Sequence, residues 1–308
     1  MLVSFNPTTI KHIRVAEFIR NLGQGTFGKV DLYVCMEKHD NTHVCNQLFV
    51  VKRLVPVLNH SIGEYVEQYV AEDKEYILMR SLKHNCIRQI YDIDVSNNCL
   101  ICEYIEGIDM FSYLFEDKTT SIPNKIRPCL YIFNQLLDSV EYMHSKGIAH
   151  KDIKIENMLV NNFGTLKLID FGLSERYIIN GEKMDCIKYQ GTMESMSPEI
   201  SNYRPYDPSK ADIWACGIVL YNILYMNYPW EKSRRSDANF NLYMNYCDTD
   251  FEHGIPTKIF PRIKKFNDEQ FSFISKLFKQ MLAIQPSKRA SIREIKQTMS
   301  KLFKSMNK

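Results

Sequence analysis

Between Ala211 and Met226 the sequence reads ADIWACGIVLYNILYM. A helix apolar on every side has no face to offer water, so this stretch has to be buried all round. It is shorter than the ~20 apolar residues that a membrane span needs, so protein has to cover it. The chain is long enough to supply that cover. It has 308 residues, 45% hydrophobic and 24% charged, enough for one large domain or two modest lobes around a sizeable core.

The periodicity of the rest changes along the chain. The first hundred residues carry strand-like runs: EFIRNL and KVDLYVC around a glycine cluster, then QLFVVKRLV after a polar loop from Glu37 to Asn46. GEYVEQYVAEDKEYILMRSLKH follows with helical character, since Val66, Tyr69, Val70, Ile77, Leu78 and Leu82 fall near a 3.6-residue period. IRQIYDID, the turn SNN and CLICEYI then predict a hairpin. From Ile126 the period is helical: Leu130, Phe133, Leu136, Leu137, Val140 and Met143 mark an amphipathic helix that Gly147 ends. NMLVNNFGTLKLID predicts a short hairpin, and most of the remainder reads as helix. There is no internal repeat. A strand-rich lobe before a helix-rich lobe predicts an α+β architecture, divided near Glu103–Gly107 into residues 1–104 and 105–308.

Charge and cysteine usage exclude several classes. A formal net charge of +3 is too small to argue for nucleic acid or an anionic membrane surface. Nine cysteines at irregular spacing form no disulfide framework. Cys99 and Cys102 make one C-x-x-C, but strand residues three apart face opposite ways and no second pair accompanies them, which argues against zinc. The start, MLVSFNPTTIKHIRV, has no basic region before an apolar run, so no secretory signal is expected. A reduced cytoplasmic location follows, with the nucleus also open; no membrane insertion is expected.

Four short stretches carry candidate chemistry. GQGTFGKV places Gly23, Gly25 and Gly28 between two strands, where backbone N–H groups can point at phosphate oxygens; an ordinary hairpin is the other reading. No helix follows, so it is no dinucleotide-binding fingerprint. Lys52 lies in the β run FVVKRL and is costly to bury without a counter-charge, which Glu72 or Glu75 offers. HKDIKIEN gathers His150, Asp152, Lys154 and Asn157, and Asp170 ends the apolar strand LKLID before Phe-Gly, as suits a metal ligand.

In this order and spacing, the four stretches resemble the signature set of eukaryotic protein kinases. SPE at Ser197–Glu199, DIWACG, and Arg289 in QPSKRAS add to the resemblance, which spans residues 14–303 or so. It implies a bilobal kinase fold, a nucleotide-binding N-terminal lobe, and phosphoryl transfer from ATP with Mg²⁺ to protein hydroxyls. The glycine loop, Leu22, Gly23, Gln24, Gly25, Thr26, Phe27, Gly28, Lys29 and Val30, is then expected over the phosphates. Lys52 is expected to hold the α and β phosphates, positioned by Glu75, whose spacing to Leu82–His84 fits the family pattern; Glu72 is the runner-up. Glu103 to Ile105 match the hinge that binds the adenine, Cys102 the gatekeeper, and Asp109 the ribose contact. Asp152 matches the residue that orients the attacking hydroxyl, Lys154 the one that steadies the γ-phosphate, and Asn157 with Asp170 the Mg²⁺ ligands. His150 is expected to be a packing residue. Lys154 and Thr192 both fit serine/threonine specificity, and a monomer acting on protein substrates is expected. Asp109 and Glu156 hint at basic residues upstream of the target hydroxyl.

Three departures stand out. Lys151 replaces the arginine that usually precedes the catalytic aspartate, keeping charge but losing the bidentate fork that grips phosphate. Lys188 and Ile187 occupy the places of the usual regulatory threonine, leaving Tyr189 as the nearest alternative. An active conformation that needs no phosphothreonine is therefore expected. Ser195 stands where an aromatic residue is frequent. GEYVEQYVAEDKEYILMRSLKH and YPWEKSRRSDANFNLY resemble fungal kinases of the halotolerance and nitrogen-permease-reactivator group, which are implicated in control of membrane transporters. A catalytically weak scaffold of the same fold is the alternative function.

Overall fold

The structure is a computed structural model. It describes residues 2–4, 15–25, 28–36, 38–40, 43–44, 46–53, 57–59, 64–66, 74–95, 97–116, 122–249 and 255–307. Thr26, Phe27 and Glu72, singled out above, lie outside the described residues. The chain forms two compact units, residues 1–83 with 87–106 and residues 84–86 with 107–308.

The first unit is built on a six-stranded sheet. Its antiparallel neighbours run in the order Leu2–Ser4, Val15–Gly25, Gly28–Cys35, Leu48–Arg53, Cys99–Glu103 and Ile90–Asp94. Side-chain alternation decides what each face does. Phe49, Val51, Cys99 and Ile101 join Ala16, Tyr33 and Cys35 in one buried cluster. Lys52, paired in register with Val30 and Leu100, belongs to the opposite face. Cys99 and Cys102 therefore sit on opposite faces of one strand.

Two local expectations need correction. The segment 63–84 is not one helix: Glu64–Val66 is a strand paired with Val57–Asn59, and the described helix is Lys74–Arg80. Tyr65 and Val66 are good strand residues, and a nearby strand partner outweighs the helical spacing. The polar stretch after Cys35 also holds a short hairpin, Lys38–Asp40 with His43–Val44.

The second unit is mostly helical. Pro208–Tyr225 is its buried core helix, and Ile213, Trp214, Cys216, Ile218, Val219, Leu220 and Ile223 on all its sides are at most 3% exposed. Trp214 packs beside Trp230 and Phe240. At Gly217 an added Cβ would stand 2.6 Å from Leu282 Cδ2, so the helix needs glycine where it meets the end of Asp268–Met281. The helix Ile122–Ser145 buries Leu130, Phe133, Leu136, Leu137, Val140 and Met143 completely. Gly147 ends it in a left-handed conformation (φ +69°), and the chain turns directly into the strand Ile148–Ala149. His84 to Cys86 belong to this unit rather than the first. His84 stacks on Tyr142 at 5.1 Å, and the Cys86 carbonyl accepts from Leu168 N–H at 2.8 Å. With a strand-rich first unit and a helical second, the fold class is α+β.

Candidate functional site

In the first unit, Gly25 pairs with Gly28 at the tip of the hairpin Val15–Gly25/Gly28–Cys35. Asn21 braces its base: Nδ2 donates to the Val30 carbonyl at 3.0 Å and to Asp31 Oδ1 at 2.8 Å. Lys29 points to the same Asp31 at 3.4 Å, with its side chain half exposed. A Cβ built on Gly23 would meet nothing within 4 Å, so the inner edge of this hairpin is open. Lys52 Nζ donates to Glu75 Oε2, both side chains being almost fully buried, while Arg88 stands 4.0 Å from the other Glu75 oxygen. The sheet sets this pair up: Lys52 faces away from the apolar cluster, and the first turn of Lys74–Arg80 brings the carboxylate to it. Cys102 is on the same face, and burial, more than the nearby charges, pushes its thiol up. Glu103 ends its strand with its N–H on the Gln89 carbonyl (2.9 Å) and its carboxylate accepting from Gln89 N–H (3.0 Å). Residues 104–106, with Ile105 among them, belong to neither helix nor strand.

In the second unit one loop carries the densest network. It leaves the strand Ile148–Ala149, passes a turn of 3-10 helix at Ile155–Asn157, and enters the hairpin Met158–Asn161/Leu166–Leu168. That hairpin delivers Asp170 to its far end. Asp212, fully buried at the start of the core helix, holds the loop's backbone: its two oxygens accept from His150 N–H at 2.9 Å and Lys151 N–H at 2.8 Å. His144 Nε2 lies 2.9 Å from the same carboxylate. Lys151 (φ +69°) and Asp170 (φ +60°) both adopt the left-handed conformation that non-glycine residues avoid. Such strain persists only where the surroundings over-determine it.

The side chains then converge on Asp152. Thr192 Oγ1 donates to Asp152 Oδ1 at 2.8 Å, and Thr192 N–H reaches the same oxygen at 3.2 Å. Lys154 Nζ lies 2.9 Å from Asp152 Oδ2 and donates to Thr192 Oγ1 at 2.7 Å. Asn157 Nδ2 donates to the Asp152 carbonyl at 2.9 Å and to Oδ2 at 3.1 Å, which turns its amide oxygen the other way. His150 is fully buried, stacked edge-on against Phe171 at 4.7 Å. Its Nδ1 accepts from Asp152 N–H (3.3 Å), so Nε2 carries the proton toward the Ile169 carbonyl (3.2 Å). Both ring nitrogens serve the backbone, and His150 acts as a spacer.

Asp109 closes a turn. Its two oxygens accept from Ser112 N–H and Oγ, each at 2.8 Å, while its backbone pairs with Leu159. Glu156 Oε1 accepts from the Tyr228 hydroxyl at 3.3 Å, whereas its buried Oε2 has no hydrogen-bond partner among the described residues. Burial and the adjacent Glu156 carboxylate push the Tyr228 phenol up, so it stays a donor. Arg289 forms a bidentate pair with Glu199 (2.6 and 2.7 Å), lies over Trp214 at 4.9 Å, and donates to the Ala283 and Lys210 carbonyls at 2.9 Å. Residue spacing alone did not reveal Asn21, His144 or Arg88, each of which acts through a partner remote in sequence.

Among the described residues no cluster of three or more His, Cys, Asp or Glu side chains could cage a metal. Asn157 and Asp170 carry hard oxygen donors, the chemistry that suits Mg²⁺ rather than zinc. The donor set fits that ion. No described helix is long and apolar enough to cross a membrane.

Residues 16–299 match the family described as the protein kinase domain. CBL-interacting serine/threonine-protein kinase 3 of Arabidopsis thaliana is 31% identical over 75% of this chain and 49% of its own length. Serine/threonine-protein kinase ppk8 of Schizosaccharomyces pombe is 33% identical over 64% of this chain and 38% of its own. Serine/threonine-protein kinase STK11 of Rattus norvegicus is 32% identical over 90% of this chain and 58% of its own. The chain thus spans about half or less of the first two relatives.

Proposed function

The chain belongs to the protein kinase family, and on that premise we propose that it transfers the γ-phosphate of ATP to serine and threonine hydroxyls of proteins. The observation that carries this reading is the network on Asp152. An aspartate held on one oxygen by Thr192 and on the other by Lys154 and Asn157 is fixed in direction, as a group that orients an attacking hydroxyl has to be. Lys154 is placed to steady charge on the transferring group, and Lys52, oriented by Glu75, to hold the α and β phosphates. The N–H groups of the glycine hairpin, of which Leu22–Gly25 and Gly28–Val30 are described, would cover the phosphates, with Gly23 leaving room for their approach. Asn157 and Asp170 would hold Mg²⁺, which when bound offsets negative charge on the phosphates. Glu103 to Ile105 would bind the base by their backbone, and Asp109 the ribose with the acceptor capacity its bonds to Ser112 leave. The negative charge of Glu156, beside Tyr228, would favour a basic side chain upstream of the target hydroxyl.

A division of labour between an N-terminal nucleotide lobe and a C-terminal catalytic lobe, monomeric action, a cytoplasmic location and control of membrane transporters are further parts of this proposal. The transporter link rests on the two fungal-like stretches alone. A scaffold that binds partners without transferring phosphate would need none of Lys52, Asp152, Asn157 and Asp170. Radiolabelled ATP with a basic acceptor protein separates the two. Asp152→Ala is expected to lower incorporation by ~10³-fold, about 4 kcal/mol of barrier. Equal incorporation by wild type and variant removes the enzyme reading.

A further inference from the structure

Lys151 lies beside the network on Asp152 but takes no part in it. Its side chain is 1% exposed, and its ammonium donates to Glu175 Oε2 at 2.8 Å and to Cys186 Sγ at 3.1 Å. The Cys186 thiol in turn donates to the same glutamate oxygen at 3.2 Å. The three residues come from three separate stretches: the loop of Asp152, the strand Glu175–Arg176 shortly after Asp170, and the segment leading to Thr192.

Each stretch is fixed by its backbone before the side chains meet. Lys151 N–H is held by Asp212, Glu175 is paired with Ala149, and Cys186 exchanges both backbone hydrogen bonds with Tyr206 at 2.8 and 3.0 Å. A buried ammonium needs a counter-charge, and Glu175 supplies it from within the chain. A compact point charge suits one carboxylate oxygen and one sulfur. A guanidinium fork calls for two coplanar acceptors, as a phosphate offers.

We propose that Lys151, Glu175 and Cys186 form a built-in clasp that holds the loop of Asp152 and the segment up to Thr192 in their working arrangement, with no phosphate added between residues 176 and 191. This rests on the kinase reading above. Lys151 and Glu175 are positioning residues: they touch no reacting group and act through Asp152. The route is short. Asp152 follows Lys151 directly, its Oδ1 receives both Thr192 donors, and a Cβ at Gly191 would lie 3.2 Å from the Lys151 carbonyl. The Glu175 carboxylate takes the place that a phosphate charge on this segment would otherwise fill.

The test uses the full chain, phosphatase-treated and shown by intact mass to carry no phosphate. Wild type is expected to keep its kcat toward a basic acceptor protein within about twofold of the untreated enzyme. Lys151→Met and Glu175→Gln are each expected to lower kcat about tenfold, with the KM for ATP unchanged within about twofold. The double variant is expected to be no worse than the poorer single one, because both remove the same interaction. Amide hydrogen exchange over residues 175–191 should accelerate in Glu175→Gln, which keeps its size and one hydrogen-bonding oxygen.

Loss of wild-type activity on dephosphorylation, or losses that multiply in the double variant, overturns the clasp; so does unchanged exchange over 175–191. If Lys151→Met does not fold, Glu175→Gln carries the same decision. If wild type transfers no phosphate whether treated or not, the kinase reading fails, and the exchange comparison still decides the clasp.

Discussion

Arg289 shows what a single buried charge does in this molecule. The residue is 2% exposed, and its guanidinium is bound by Glu199 through two parallel hydrogen bonds and flanked by carbonyls and the Trp214 ring. Removing the arginine leaves Glu199 as an uncompensated carboxylate beside an apolar wall. Arg289→Ala is therefore expected to destabilise folding by about 3–5 kcal/mol, measured by denaturant unfolding. Arg289→Lys should recover only part of this, because one ammonium cannot reproduce the fork. At this scale much was legible from the sequence. The spacing of Asp152, Lys154 and Asn157 put them in one loop, and the β run around Lys52 demanded a carboxylate. Local periodicity could not separate Glu72 from Glu75, three residues apart, and Glu75 was preferred only through the resemblance, by its spacing to Leu82–His84. The contact of Lys52 with Glu75 depends on how a helix meets a sheet.

At the scale of elements, the start of the core helix Pro208–Tyr225 couples stability to pH. Asp207 caps it, accepting from Ser209 N–H at 3.0 Å and Ser209 Oγ at 2.6 Å, and it also pairs with Lys183. Burial acts to raise the Asp207 carboxyl, but Lys183 and Ser209 outweigh it and hold the group below the ordinary carboxylate range. A depressed folded-state value means that this stabilisation is complete above the unfolded value near ~4 and fades as pH falls through the folded one. Asp207→Ala should lose about 1 kcal/mol at neutral pH, and the deficit relative to wild type should shrink below about pH 4, followed by urea unfolding across pH. Ile122–Ser145 was legible because burying one face imprints a helical period locally, and Pro208–Tyr225 because a run apolar on every side has to be buried all round. Glu64–Val66 was not, because strand or helix there depends on pairing with Val57–Asn59. Glu175 and Cys186 carried no local signal at all. Only the fold brings them to Lys151.

For the whole molecule, the cysteines give the most direct measure of core integrity. Of nine in the sequence, seven are buried thiols in the structure, Cys247 is partly exposed, and Cys45 lies outside the described residues. Burial pushes the Cys99 thiol up to about 12 and the Cys216 thiol well above its usual range, which suppresses the reactive thiolate. A thiol reagent such as Ellman's should therefore label no more than two thiols rapidly in the native protein and all nine after unfolding. Fast reaction of a third would show a core looser than this packing. The pairing of Glu199 with Arg289 has a consequence of another kind. The partners are 90 residues apart, so a chain growing on the ribosome displays Glu199 long before the arginine emerges. The segment that ends at Glu199 stays unanchored until Arg289 has been added and has left the ribosome, and a nascent chain interrupted earlier lacks the anchor altogether.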